Sequence, residues 1–201
     1  MNQLAPTRPA DLLCTLLLRG VSFLVINVLV WLLMQMVHES GHVLVAWATG
    51  GTIEKLDLHP LHISTTYVWP NPRPLIVTWA GPIAGTVLPL VAWSIVRNVK
   101  PGWAALLRYF AGFCLIANGA YLGSIYWIRV GDAADLLALG TPPTVLILFG
   151  IVTVVAGFAC WNGTGHALGW SLGSPAPTKK QLIPASVALL VVAGVELLVF
   201  R

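Results

Sequence analysis

Long apolar runs separated by short polar links make up most of the chain. The first apolar run is interrupted only by Arg19-Gly20. We therefore predict an oblique lead-in over residues 11–19, followed by a membrane-spanning helix over residues 21–49. Gly50 should end that helix, because glycine readily adopts the left-handed conformation found at helix C-termini.

Four further apolar runs have the length of about 20 residues that a helix needs to cross a bilayer. They cover residues 75–96, 103–128, 144–161 and 182–200. Between the first two spans, residues 52–70 mix polar, apolar and β-branched residues in rough alternation, which predicts one or two short strands at the membrane edge. The predicted fold is an all-α polytopic membrane protein with about five transmembrane helices and a short β-like segment after the first.

We expect a single membrane-embedded domain over residues 1–201, with a catalytic core over residues 21–140 and accessory helices over residues 144–201. The composition is 57% hydrophobic and only 9% charged, whereas soluble domains are about 25% charged. The net charge of +4 comes from basic residues scattered at the ends of apolar segments, where they can meet lipid headgroups. This distribution favours the lipid bilayer as a partner, not a nucleic acid, and predicts a multi-pass protein, expected in the cell membrane.

His38, Glu39 and His42 form an H-E-x-x-H pattern inside the first predicted spanning helix. Residues four apart share a helix face, so both imidazoles can bind one Zn²⁺ ion. The adjacent glutamate can then act as general base on a water molecule that the zinc activates. Ionisable side chains inside a span are energetically costly unless they are paired or bound to a metal. The pattern therefore predicts a catalytic zinc site.

A catalytic zinc usually has three protein ligands and one open position, so the chain should supply a third ligand. If the spans alternate in direction, Asp132 and Asp135 emerge on the same side of the membrane as the motif. Glu196 is a weaker candidate on that side, and His166 emerges on the opposite side. We favour Asp132 as the ligand. Asp135 is the alternative, or else it caps a short helix or hydrogen-bonds to a ligating histidine.

Three other polar residues need an interpretation. Asn118 lies inside the third predicted span, where it can bind the substrate backbone or an oxyanion, or form a hydrogen bond between helices. Both interpretations stay open. His59 and His62 are three residues apart on a predicted strand, so they should face opposite ways and lie at the surface or in a lid.

With these motifs the chain resembles the site-2 protease family of intramembrane zinc metalloproteases, as a compact, divergent branch. The HESGH segment at residues 38–42 has the family's glycine before the second histidine, and ATGG follows at residues 48–51. The WAGPIAG segment at residues 79–85 resembles the small-residue segment of the family's next helix. Gly131-Asp132 resembles the aspartate motif that supplies the third ligand.

The resemblance spans about residues 30–140 and implies a core of three transmembrane helices. It also implies one zinc ion bound by His38, His42 and an aspartate, with Glu39 as the base. The implied substrate is a membrane protein or peptide, held in an unwound form by β-addition to strands at the membrane edge. The chain departs from the family where Ala133 replaces the glycine that usually follows the aspartate.

The predicted function is that of a zinc metalloendopeptidase, a hydrolase of peptide bonds in membrane-embedded or membrane-proximal segments. One alternative is a proteolytically inactive membrane protein that retains the metal site for binding, transport or partner recognition. Another is a metal-dependent hydrolase of a lipid or a small amide. Transport needs polar residues spread along several spans, whereas here they cluster near one depth, so we prefer the protease.

Overall fold

The computed structural model describes residues 9–99 and 101–200. In this part of the chain, five helices are long and apolar enough to cross a membrane. They are α1 (Pro9–Ala48), α2 (Pro74–Val99), α3 (Pro101–Gly123), α5 (Pro143–Trp161) and α7 (Lys179–Val199). The shorter elements are helices α4 (Gly131–Ala138) and α6 (Thr164–Ala167) and strands β1 (Ile53–Asp57) and β2 (Thr65–Val68). The predicted fold class is confirmed.

The first helix is longer than predicted. Helix α1 is one continuous element of 40 residues, so the predicted lead-in and the separate start at residue 21 are wrong. Gly20 costs a helix only about 1 kcal/mol relative to alanine, which is too little to break it. Arg19 donates from Nη2 to the Ser174 carbonyl at 2.6 Å, and this bond gives its charged group a partner. The helix ends as predicted, because Gly50 takes up the left-handed conformation with φ of 81°.

The two strands form an antiparallel hairpin directly after α1. Thr66 of β2 lies opposite Leu56 of β1 in this pairing. The prediction that His59 and His62 lie on a strand and face opposite ways is wrong, because β1 ends at Asp57 and both histidines lie in the turn. Their rings stack with centroids 4.8 Å apart. A turn, unlike a strand, allows residues three apart to face each other.

Helices α3 and α5 pack along a seam of glycines. Gly119 and Gly123 of α3 approach Gly150 of α5 so closely that a Cβ on any of them would be crowded by the other helix. Small residues commonly allow transmembrane helices to approach in this way. Helix α3 ends at Gly123, earlier than the predicted span, and the chain then turns inward so that Ile125 is buried.

A compact apolar core holds α4 against α3 and α5. Its buried residues are Leu122, Ile125, Ala133, Leu136 and Leu146. Van der Waals packing of such side chains holds membrane helices together. This core therefore fixes the position of α4, which carries both candidate aspartates.

Helix α1 is in contact with α2, α3 and α7. Helix α1 approaches α2 closely at Gly41, where a Cβ would overlap the carbonyl oxygen of Ala80. The glycine of the HESGH segment thus lets the two helix backbones touch. Because of this contact, the motif faces other helices of the bundle.

Candidate active site

Four buried polar side chains form one stripe on α1. Gln35, His38, Glu39 and His42 follow the spacing i, i+3, i+4 and i+7, which places them on one helical face. Each has 8% or less of its surface exposed. Buried polar groups are stable only when they have hydrogen-bond or ionic partners. In this protein the partners come from α2, α3, α4 and the hairpin.

Asp132 reaches the stripe from the first turn of α4. Its Oδ2 lies 2.9 Å from Nε2 of His38 and 3.4 Å from Nε2 of His42. The two Nε2 atoms are 3.2 Å apart. These three side chains could hold a metal ion, because their donor atoms all lie within 4.8 Å of one another. The structure thus brings together the three residues that we favour as ligands from the sequence.

The other ring nitrogen of each histidine faces a hydrogen-bond acceptor. Nδ1 of His38 lies 2.7 Å from Oδ1 of Asn118. The orientation of that amide is fixed, because its Nδ2 donates to the Cys114 carbonyl at 2.9 Å. Nδ1 of His42 donates to the Val77 carbonyl at 2.8 Å. In the neutral imidazoles both protons therefore lie on Nδ1, and both Nε2 atoms present lone pairs.

Three electron-rich atoms, two Nε2 and one carboxylate oxygen, consequently face one another. Such an arrangement is repulsive unless a cation lies among them. Zinc bonds of about 2.0–2.2 Å in a tetrahedron place donor atoms about 3.3–3.6 Å apart. The three separations here, 2.9, 3.2 and 3.4 Å, are close to these values. Two imidazoles and one carboxylate are also a known donor set of catalytic zinc, so the residues fit such an ion.

The two aspartates of α4 differ in their surroundings. Burial raises the pKa of Asp132, but when His38 and His42 are protonated and donate to it, they lower its pKa below the usual range, so the carboxylate stays anionic. Asp135 is exposed and lies outside the metal-binding group. Partial burial and the charge of Asp132 raise the pKa of Asp135. Because α4 begins at Gly131, Asp135 lies within the helix, and the alternative role of capping this helix is wrong.

Two hydroxyl groups of the hairpin hold the carboxylate of Glu39. Its Oε1 accepts a hydrogen bond from Oγ of Ser64 at 2.8 Å, and its Oε2 accepts one from Oγ1 of Thr66 at 2.5 Å. One helical turn earlier, Oε1 of Gln35 accepts a hydrogen bond from the backbone N–H of Ser64 at 2.8 Å. The hairpin is therefore joined to the motif helix beside the metal-binding group.

Tyr121 of α3 fixes the start of α4. Its hydroxyl accepts a hydrogen bond from the backbone N–H of Asp132 at 2.8 Å and donates to the Val130 carbonyl at 3.1 Å. Gly131 has φ of 52°, a conformation that favours glycine. A Cβ at this position would also overlap the Tyr121 hydroxyl. Glycine is thus required before the aspartate for two reasons: its backbone conformation, and the lack of space for a side chain.

A glycine of α2 leaves room for the histidine rings. A Cβ at Gly81 would overlap Nε2 of both His42 and His38. Gly81 belongs to the WAGPIAG segment, which the sequence singles out for its small residues. The absence of a side chain here leaves the space around the donor atoms open.

Two cavities reach the site, and Thr66 and Tyr67 of β2 line both. A cavity of about 560 Å³ lies between α1, α3 and the hairpin, and Trp31 and Met34 give it an apolar wall. A second cavity of about 410 Å³ lies between the hairpin, α2 and α4, with Asn71 and Thr78 in its wall. Asp132 borders both cavities. Both cavities therefore give access to the same cluster.

A family model described as Peptidase M50B-like matches residues 12–172, well over half of the chain. The chain belongs to the Peptidase M50B-like family. This match confirms the resemblance to the site-2 proteases and extends it beyond residues 30–140. Neither curated proteins nor solved structures gave a match. The M50B-like family, five membrane-spanning helices and a metal-binding group together describe a multi-pass membrane protein of metalloprotease type.

Several polar residues of the M50B-like site are not among those predicted from the sequence. Gln35 could have been found from its spacing, because it lies on the same helical face as the H-E-x-x-H residues. Ser64 and Thr66 lie in a segment with several hydroxyl residues, and only their spacing of two distinguishes them. Nothing in the sequence indicates the role of Tyr121, because its contact with Asp132 depends on the turn that follows α3.

Proposed function

We propose that this protein is an intramembrane zinc metalloprotease that hydrolyses peptide bonds in membrane-embedded or membrane-proximal segments. In this proposal His38, His42 and Asp132 hold one zinc ion. The main support is the convergence of two Nε2 atoms and one carboxylate oxygen, 2.9 to 3.4 Å apart, next to the buried carboxylate of Glu39. Membership of the M50B-like family supports the same reaction class.

Zinc, when bound, supplies a Lewis acid that lowers the pKa of water towards neutrality and polarises a peptide carbonyl. Glu39 takes a proton from the attacking water and returns it to the departing amine nitrogen. It can do so while it accepts two hydrogen bonds, because each carboxylate oxygen keeps a second lone pair. Glu39 is thus the general base and then the general acid.

Two hydrogen-bond acceptors orient the ligating histidines. The Val77 carbonyl holds His42, and Asn118 holds His38. Such partners fix the tautomer and the direction of a ligand. We assign this positioning role to Asn118 instead of substrate contact, because both polar atoms of its amide already have partners within the protein.

The hairpin supports a mode of substrate binding. Within the described part of the chain, β2 pairs with β1 alone, so its other edge can accept an extended peptide. A helical segment must unwind before its peptide bonds become accessible, and pairing with β2 would hold it in the unwound form. The apolar wall formed by Trp31 and Met34 suits a segment that arrives from the lipid.

The test measures zinc content and cleavage in purified protein, with the substitution Asp132→Asn and its matched control Asp135→Asn. Wild type and Asp135→Asn should hold one zinc ion per chain, and Asp132→Asn should lose it. Cleavage is followed in liposomes with dye-labelled single-span peptides that carry a central Asn-Gly break. Glu39→Gln should keep the zinc and lose cleavage.

Three results would contradict the proposal. If the wild-type protein folds correctly but contains no zinc, the proposed metal site is wrong. If Glu39→Gln cleaves the peptides as fast as the wild type does, the proposed role of Glu39 as base is wrong. A wild type that binds zinc but cleaves none of the peptides favours the inactive metal-binding alternative.

A further inference from the structure

The two hydroxyl groups that hold Glu39 come from one face of the hairpin. Ser64 and Thr66 are two residues apart, and alternate residues of an extended chain face the same way. Thr65, between them, is exposed. Each hydroxyl donates to a different oxygen of the carboxylate, so the two together fix the plane of the carboxylate as well as its position.

Glu39 needs these donors because of where it lies. Only 4% of its surface is exposed, and a buried carboxylate is unstable without hydrogen-bond donors. Its side chain has three rotatable bonds, so the helix alone does not determine where the carboxylate points. Hydrogen bonds to an ionised acceptor are stronger than those between neutral groups. The hairpin hydroxyls can therefore select one orientation of the carboxylate.

The backbone of the hairpin is held at the same place. Gln35, one turn before Glu39 on the same face of α1, accepts the hydrogen bond from the N–H of Ser64. Gln35 is itself 6% exposed, so this bond is shielded from water. The segment from Ser64 to Thr66 is thus attached to α1 at three points, two of which are the oxygens of Glu39.

We propose that Ser64 and Thr66 are positioning residues, which orient the carboxylate of Glu39 for its role as general base. The inference rests on the proposed function, because the two residues act through the proposed base. It makes the docked hairpin a part of the catalytic apparatus. The strand that offers an edge to the substrate also determines where the base points.

The kinetic test compares Ser64→Ala, Thr66→Val and the double variant in liposomes, with the same dye-labelled single-span peptides. The double variant should lose about tenfold to a hundredfold in kcat, as expected for a misplaced catalytic group, with KM and zinc content unchanged. Thr66→Ser keeps the hydroxyl and should retain most of the wild-type kcat. Thr52→Val, at an exposed threonine at the base of the hairpin, should leave kcat unchanged.

A merely structural role gives a different pattern, namely lower zinc content or a higher KM, and no retention of activity by Thr66→Ser. That pattern, or a double variant with the wild-type kcat, would overturn the inference. This kinetic comparison can be made only if the wild-type protein cleaves the peptides.

A second measurement is independent of activity. Amide hydrogen exchange over residues 61–66 is compared between wild type and Glu39→Ala, with Asp135→Asn as the control. Loss of the carboxylate should speed exchange in this segment by on the order of tenfold, because local opening becomes easier. Unchanged exchange would overturn the inference. If wild type cleaves no peptide, the proposed function fails, and exchange alone decides whether the hydroxyls hold Glu39.

Discussion

His38 on α1 and Asn118 on α3 are 80 positions apart and share a buried hydrogen bond of 2.7 Å. The bond places the imidazole proton on Nδ1, so that Nε2 faces Asp132 and His42 with its lone pair. Asn118 is 2% exposed, and water cannot replace it as the acceptor. One amide of α3 therefore controls the chemistry of a side chain on α1.

Substitution Asn118→Leu should weaken zinc binding by about tenfold to a hundredfold, the range found when a hydrogen-bond partner of a ligating histidine is removed. Leucine has a similar size but no acceptor for Nδ1. The measurement is the zinc dissociation constant, from competition with a chromogenic chelator. Asn27→Leu is the control, because Asn27 accepts a hydrogen bond from Tyr109, not from the motif. Equal affinity in wild type and Asn118→Leu would contradict this role.

Substitution Gly131→Ala should lower both stability and zinc affinity. A non-glycine residue in the left-handed region costs about 1–2 kcal/mol, and the new Cβ would also displace the Tyr121 hydroxyl that holds Asp132. Gly140→Ala is a matched control, because its φ is 89° and no atom lies within 4 Å of a Cβ there. Thermal unfolding should show a loss in both variants. A similar loss of zinc affinity in Gly140→Ala would show that strain alone is the cause.

Substitution Gly81→Ala should abolish zinc binding while the bundle stays folded. The added methyl group would occupy the space beside both Nε2 atoms, although alanine favours a helix by about 1 kcal/mol over glycine. Gly194→Ala, on α7 with open space around it, should be neutral or slightly stabilising. Circular dichroism and metal analysis on both variants separate the two effects. Full zinc content in Gly81→Ala would mean that the rings can move aside.

Features that depend on nearby residues could be predicted from the sequence. The five spans follow from continuous apolar runs, and His38 with His42 follows from a spacing of four on a helix. The position of Asp132 near the motif could be predicted too, because the alternating direction of the spans limits which loops lie on the side of the motif. Each of these arguments needs only a short stretch of chain or the order of the spans.

Features that depend on how elements pack could not be predicted. The sequence predicts a break at Arg19-Gly20, but Ser174, far along the chain, accepts a hydrogen bond from the arginine. The hydroxyls that hold Glu39 are two among several in one segment, and the docking of the hairpin alone selects them. The role of Tyr121 likewise appears only when the turn after α3 is known.

Substitution Glu196→Leu tests a buried carboxyl group on α7. Glu196 is 3% exposed, and its Oε2 has no hydrogen-bond partner among residues 9–99 and 101–200. A buried polar atom without a partner costs about 1–3 kcal/mol. Leucine should therefore leave the free energy of unfolding in detergent unchanged or raise it by up to about that amount, with zinc content unaffected. Loss of zinc would instead make Glu196 a ligand.

Helix α1, with 40 residues, is about 60 Å long, twice the hydrocarbon thickness of about 30 Å. Its backbone touches that of α2 at Gly41, near one end of the helix. His38 lies about 5 Å from that point along the axis, whereas the start of the helix lies about 48 Å away. A tilt about Gly41 that carries the far end through about 5 Å moves the imidazole by only about 0.5 Å. Tilting of α1 about Gly41 would therefore move its two histidines far less than the start of the helix at the opposite face of the membrane.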